Sequence, residues 1–333
     1  MKVFIPYSTR KATDAFEGSR LRKTLKGACE VADISWVDSP REEVDVAHFL
    51  APSDLPLLRD KKKEGIPCVV SAFYAEDDPR ASFLTKQPKF KLTSRGLLIL
   101  NEADLVLVPS ARMKEFAISC GVTARIEVLE PAVRINRFSN TAAESRIFRR
   151  YFSVRPEEKI VVATGTYYDK KGFNSIKKVV KACPNLSFYF FGSTYSNDRF
   201  GFFRFIRGIR KPANLHFQNI VQDDIYRSAL MNSMAYIAND SKRPNAIGPM
   251  EAFASKTQVV AFDSARANSL LKEGETCYFF TTPEEMGKYL DALNSDAAES
   301  TIDSAFAVAR SHNLIHHGSK LKSLYESLIQ EDH

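Results

Sequence analysis

Twice along its 333 residues the sequence alternates short, almost wholly apolar runs with longer amphipathic stretches, and this alternation constrains the fold more than any other feature. In the first half, strand-length apolar runs fall at 3–5, 34–37, 44–49, 67–72, 105–108 and 125–129, with helical patterns at 19–28, 55–63, 92–102 and 111–120 between them. Short runs apolar at successive positions suit strands buried on both faces, and the intervening helices supply the covers. Strand and helix alternating at this spacing predict βαβ units and a parallel sheet. Residues 138–158 are polar and basic, and they interrupt the pattern. It restarts with strands at 159–163, 186–191, 215–217, 234–237, 258–262 and 278–280, and helices occupy 284–329. The expected fold class is therefore α/β: two Rossmann-like parallel-sheet domains facing a cleft. The expected boundaries are 1–140 for the first domain, 141–158 for a linker and 159–315 for the second domain. Residues 316–333 are expected to form a C-terminal helix crossing back to the first domain.

Composition removes several classes. Hydrophobic residues make up 44% and charged residues 26%, ordinary globular values, and no run of 18 or more apolar residues suggests a membrane span. The opening residues 1–6 read as a short strand with no signal-peptide apolar region behind it. Five scattered cysteines (Cys29, Cys68, Cys120, Cys183, Cys277) without CxxC spacing argue for a reducing cytoplasm, no disulfide framework and no zinc site. A net charge of +7 favours anionic partners: acidic lipid, phosphorylated small molecules or nucleic acid. No recognised nucleic-acid module accompanies the charge, so no nucleic-acid partner is expected.

Three segments carry candidate chemistry. In Arg243-Pro244-Asn245-Ala246-Ile247-Gly248-Pro249-Met250-Glu251-Ala252-Phe253-Ala254-Ser255, a Gly-Pro break opens a helix with one carboxylate in its first turn. Unpaired N–H groups at such a start attract phosphate, and Glu251 one turn on could take hydrogen bonds from a ribose diol. The same stretch also reads as an ordinary buried helix whose Glu251 points to water. In Gly165-Thr166-Tyr167-Tyr168-Asp169-Lys170-Lys171-Gly172, a glycine-bounded turn at a strand's carboxyl end offers two ammonium groups to a diphosphate, or two lysines to solvent. The third segment, 129–138, joins the first domain's last strand to the linker. No GxGxxG follows the first strand, which disfavours a dinucleotide dehydrogenase.

In order and spacing these pieces resemble the GT-B nucleotide-sugar transferases of glycosyltransferase family 4, over about residues 45–280. Val108-Pro109-Ser110 and Cys120-Gly121-Val122 resemble the end of that family's first domain, and 131–138 its linker motif. Lys171-Gly172 resembles its phosphate lysine, and 245–254 followed by Val259-Val260-Ala261 its donor helix and next strand. The resemblance implies that Lys171, with Lys170, holds the donor pyrophosphate beside Gly165 and Thr166, and that Glu251 binds the donor ribose. Backbone N–H groups near Ala246, Ile247 and Gly248 would neutralise the leaving phosphate. The base would lie against Ser193 and the loop containing Ile220. His48 matches a position on the acceptor side, and as a lone histidine it also reads as structural. Glu76, in an acidic cluster, could touch acceptor hydroxyls or simply be solvated.

The sequence departs from the family pattern at three places. Arg243 stands where the first of two glutamates is usual, Thr166 replaces an arginine, and Arg134 replaces an aspartate. Arg243 is either a specificity change, acting beside Lys171 and Glu251 in catalysis, or the mark of a non-catalytic copy. No DxD pair is present, so neither a metal nor any other cofactor is expected beyond the nucleotide-sugar donor, UDP-linked in the first reading. Residues 199–211 hold five basic residues, four phenylalanines and no acidic residue. That is the pattern of an interfacial helix on anionic lipid, and equally of a domain helix packed on its sheet. With basic pieces at 20–26 and 83–95, it resembles the bacterial glycosyl-diacylglycerol glycosyltransferase subgroup. The expectation is a cytoplasmic hexosyltransferase, peripheral on the membrane's inner face, acting with retention on a glycolipid. The alternatives are an enzyme of cell-surface polysaccharide synthesis and a non-catalytic nucleotide-sugar-binding homologue.

Overall fold

The apolar runs become the central strands of two parallel sheets. The computed structural model describes residues 1–6, 15–50, 54–72, 94–138, 144, 146–166, 170–193, 208–209, 211–218, 221–238, 247–266 and 268–331. The chain divides into two units: the first holds nearly everything through Ala132 and resumes at His312, and the second runs from Val133 to Ser311.

In the first unit the order is β1 (Lys2–Phe4), α1 (Ala15–Val31), β2 (Ser35–Val37), β3 (Val46–Phe49), α2 (Leu55–Lys63), β4 (Cys68–Ser71), α3 (Ser94–Glu102), β5 (Leu105–Val108), α4 (Ala111–Ser119) and β6 (Arg125–Val128). The strands pair in parallel in the order β2-β1-β3-β4-β5-β6. Every residue of β3, β4 and β5 is buried, as the unbroken apolar runs require. Alternate side chains go to opposite faces. Val46, Val69, Leu105 and Leu107 meet Leu25, Ala28 and Cys29 of α1. Ala47, Phe49, Val70 and Val106 meet Leu58, Ile99, Leu100, Met113 and Ala117 of α2 to α4. Local signals set the helix starts: Asp54 accepts a hydrogen bond from the Leu57 amide at 3.4 Å, and Ser110 accepts one from the Met113 amide at 3.3 Å.

The second unit contains α5 (Arg146–Tyr151), β7 (Ile160–Thr166), α6 (Lys170–Ala182), β8 (Ser187–Ser193), β9 (Leu215–Gln218), α7 (Asp223–Asn232), β10 (Ser233–Ala238), α8 (Gly248–Ala254), β11 (Gln258–Phe262), β12 (Tyr278–Phe280), α9 (Pro283–Asn294) and α10 (Ile302–Ser311). Its sheet is parallel in the order β12-β11-β10-β7-β8-β9. One face is covered by α5, α7, α8 and α10, the other by α6 and α9. Thr282 and Glu285 form a reciprocal capping box at the start of α9. The stretch 141–158, expected as a linker, instead carries α5, whose Phe148 is fully buried in this unit's core.

The last helix, α11 (Leu314–Glu331), packs in the first unit, placing Leu314, Leu321, Tyr325 and Leu328 beside α1 and the sheet. Gly318 permits that approach, since a β-carbon there would lie 2.5 Å from the Ala28 carbonyl oxygen.

Candidate functional site in the second unit

The second sheet has a topological switch point. From β7 the chain builds outward through β8 and β9, then returns to β7's other side with β10 and continues to β11 and β12. At such a point the connections leaving two neighbouring strands diverge, and ligands bind beyond the strands' carboxyl ends. Here the diverging connections lead from β7 to α6, which carries Lys171, and from β10 to α8, which carries Glu251. The first unit has the same kind of reversal between β1 and β3.

Sheet register brings several of the expected residues together. Gly165 and Thr166 of β7 pair with Gly192 and Ser193 of β8, so Gly165, Thr166 and Ser193 stand side by side at the strands' carboxyl ends. A β-carbon on Gly165 would come within 3.2 Å of the Phe190 ring, and its backbone has a φ of +158°, so the fold itself gives reasons for that glycine. Lys171, in the first turn of α6, is exposed, and Gly172 behind it is buried.

All seven residues of α8 are buried, Ile247 just before it is 5% exposed, and Glu251 is 7% exposed. The alternative in which Glu251 simply points to water is thereby excluded. A carboxylate is costly to bury, and its place in the first helical turn puts it where the helix dipole favours negative charge. The Glu251 amide donates to the Ile247 carbonyl at 3.0 Å. Gly248 rests on Tyr236 of β10: a β-carbon there would lie 2.1 Å from the Tyr236 hydroxyl oxygen and 3.5 Å from Thr164 Oγ1. The Thr164 and Tyr236 hydroxyls are hydrogen-bonded at 2.5 Å. The sequence reading missed this pair, and the only signal for it was a hydroxyl within each of two otherwise apolar strands.

Other expected residues fall elsewhere. Glu76, Ile220, Arg243 and Ala246 lie outside the described residues, as do the side chains of Thr166, Lys170 and Ser193. So do the acidic cluster 76–78 and most of the basic stretches 83–95 and 199–211. His48, offered both as an acceptor-side and as a structural residue, has structural partners on both ring nitrogens. It is 1% exposed, with Nδ1 2.5 Å from the Tyr325 hydroxyl and Nε2 2.7 Å from Ser71 Oγ. Burial pushes its pKa down to about 3, with the His317 charge adding to the effect. A neutral ring with both nitrogens engaged fastens α11 to the first sheet and has neither nitrogen left for a substrate.

The linker motif serves structure as well. Arg137 pairs with Asp223 of α7 at 2.5 Å, and Arg227 donates to the Arg137 carbonyl at 2.6 Å and to Asp224 at 3.0 Å. Cys29, Cys68, Cys183 and Cys277 are buried, and burial raises each thiol to about 12, which disqualifies them as nucleophiles. Among the described residues no group of three or more His, Cys, Asp or Glu is arranged to hold a metal ion. Among the described residues the switch point thus carries one exposed lysine, Lys171, and one buried carboxylate, Glu251.

Two parallel six-stranded units of this topology define a class: the chain has the GT-B fold of the nucleotide-sugar glycosyltransferases. Solved structures establish the likeness over nearly the whole length. Anabaena HepE, solved with UDP-glucose, superposes with a TM-score of 0.72 at 12% identity, covering 98% of this chain and 99% of that one. A glycosyltransferase from Rickettsia africae gives 0.69 at 13% identity with 98% of both chains covered. Sucrose-phosphate synthase from Thermosynechococcus elongatus gives 0.67 at 13%, covering 94% and 79%. In sequence, the chain is 22% identical over 308 residues to the processive diacylglycerol alpha-glucosyltransferase of Acholeplasma laidlawii, covering 92% of each. The resemblance to glycosyltransferase family 4 thus agrees with both the fold and a curated relative, while no protein-family model matches the chain.

Proposed function

We propose that the protein is a retaining hexosyltransferase that moves a sugar from a UDP-sugar to a membrane glycolipid. The observation that carries this reading is the placement of Lys171 and the buried Glu251 on the helices that follow the two strands flanking the second sheet's switch point. The full-length likeness to a diacylglycerol glucosyltransferase supports the acceptor class. In the reaction the bond between the sugar's anomeric carbon and the diphosphate oxygen breaks, the acceptor hydroxyl oxygen bonds to that carbon, and the hydroxyl proton leaves with the departing UDP. Negative charge grows on the departing UDP, and a lysine beside it would stabilise that charge. Lys171, with Lys170, would face the diphosphate beside Gly165 and Thr166, and backbone amides near Ala246, Ile247 and Gly248 would add to that charge stabilisation. Glu251 would take the ribose hydroxyls, and the base would lie toward Ser193 and Ile220. Glu76 is a candidate for the acceptor side. The lysine-rich α6 and the positive net charge favour attachment to an anionic, cytoplasm-facing lipid surface.

A second reading rests on Arg243, which stands where the family carries a glutamate: a copy that binds the donor without turnover. One assay separates the two. Purified protein is incubated with UDP-glucose and micelles containing diacylglycerol or its monoglucoside, and UDP release and labelled glycolipid are followed. An α-linked glycolipid formed in step with UDP supports the proposal. UDP-glucose binding with no UDP release over many hours supports the binder, and transfer to a soluble saccharide alone would move the enzyme to polysaccharide synthesis.

A further inference from the structure

Ile247, at the N-terminal boundary of α8, has no polar side chain with which to cap the helix. The contacts beneath this seven-residue helix bear on its height and rotation, and so on where Glu251 lies. Tyr236 stands on β10 with its Cα opposite Val162 of β7. Its hydroxyl reaches Thr164, two residues further toward the carboxyl end on the same face of β7. Tyr236 is 0% and Thr164 9% exposed, so the hydroxyls form a polar step within an apolar core. Gly248 sits directly on that step, where even one methyl group would collide with the Tyr236 oxygen. Gly248 and Glu251 are three residues apart and therefore neighbours on the helix surface. Moving the Gly248 seat by a few tenths of an ångström moves Glu251 with it.

Packing alone does not call for this pair. A phenylalanine and a valine would occupy nearly the same volume without desolvating two hydroxyls, and such apolar replacement of both partners is close to neutral for stability. From the close approach of Gly248 to Tyr236 and the 2.5 Å hydroxyl contact, we infer that Thr164 and Tyr236 are positioning residues for the donor site: they seat α8 so that Glu251 meets the donor ribose. This rests on the reading above that Glu251 binds the donor.

The test compares Tyr236→Phe, Thr164→Val, Thr164→Ser and Glu251→Ala in the full-length protein. UDP affinity is measured by calorimetry, donor and acceptor KM by initial rates, and folding by thermal melts. Tyr236→Phe and Thr164→Val are expected to weaken UDP binding and raise donor KM about fivefold, the scale of one hydrogen bond's contribution. Acceptor KM should change less than twofold. Thr164→Ser keeps the hydroxyl and should stay within twofold of the parent throughout. Should Tyr236→Phe fail to fold, Thr164→Val and its serine rescue decide the matter alone. Lower melting temperatures with unchanged UDP affinity and donor KM in the hydroxyl-deleting variants, while Glu251→Ala still weakens UDP, would overturn this inference and leave the donor site standing. Failure of the parent to bind UDP, or unchanged affinity in Glu251→Ala, would overturn the donor-site reading and this inference with it.

Discussion

Removing a single oxygen from the last helix should loosen its hold on the first sheet. Tyr325 is 0% exposed, and its hydroxyl lies 2.5 Å from His48 Nδ1, while Ser71 occupies the other ring nitrogen at 2.7 Å. The imidazole is neutral, so one nitrogen donates and the other accepts, and both roles are filled. Tyr325→Phe keeps the ring and its edge contact with His48 but leaves Nδ1 buried with no partner. An ordinary hydrogen bond contributes about 1 kcal/mol net, but an orphaned buried group costs about 1–3 kcal/mol, so we expect a loss of about 2 kcal/mol. For a unit of this size that corresponds to about 4–8 °C in melting temperature. Thermal and urea melts give the global loss, and hydrogen exchange of the α11 amides tests whether opening begins there. In the double variant His48→Phe/Tyr325→Phe the orphan disappears, so its cost should fall at least 1 kcal/mol below the sum of the singles. A Tyr325→Phe loss under about 0.5 kcal/mol, or strictly additive singles, would refute the clasp.

Three further outcomes follow from the same structure. His48 and His317 are held neutral chiefly by desolvation, at about 3 and about 4, so an unfolded chain takes up protons below pH 6.5 that the folded one refuses. Stability should be pH-independent in these groups above 6.5 and fall by about 1.4 kcal/mol per pH unit for each ring as pH drops toward 4; His48→Phe should flatten the slope of acid denaturation curves. Lys171→Ala and Glu251→Ala should each weaken UDP binding about tenfold or more by calorimetry without lowering the melting temperature in step, as expected for charged hydrogen-bonding partners; unchanged affinity in both removes the donor site. Gly318→Ala puts a methyl 2.5 Å from the Ala28 carbonyl and should destabilise by about 1–3 kcal/mol, read by urea titration; a neutral result would mean that α1 and α11 readily part.

Much of the fold was legible because buried parallel strands advertise themselves. The runs at 105–108 and 258–262 became β5 and β11 with the same bounds, and every residue of both is buried. What could not be read was either short or long-range. Helix α5 has six residues, and Arg146, Arg149 and Arg150 mask the apolar side formed by Ile147 and Phe148, so it passed for a polar linker. His48 could be read either as an acceptor-side or as a structural residue because its partner Tyr325 lies 277 positions away. The Thr164–Tyr236 contact spans 72 positions, and no local pattern joins a threonine near the end of one strand to a tyrosine in another. Glu251 was visible as the carboxylate of a helix start; that it is buried is information only the packed helix supplies.

The placement of α11 also governs the order in which the protein can be made. One face of the first sheet needs Leu314, Leu321, Tyr325 and Leu328 to complete its cover, and those residues are synthesised after the whole second unit. On the ribosome, the earliest strands must therefore wait with part of their apolar surface bare while the second unit completes itself. A chain released before Leu328 would carry a finished second unit joined to a first one still exposing the strip where α11 belongs, a natural handle for chaperones and proteases.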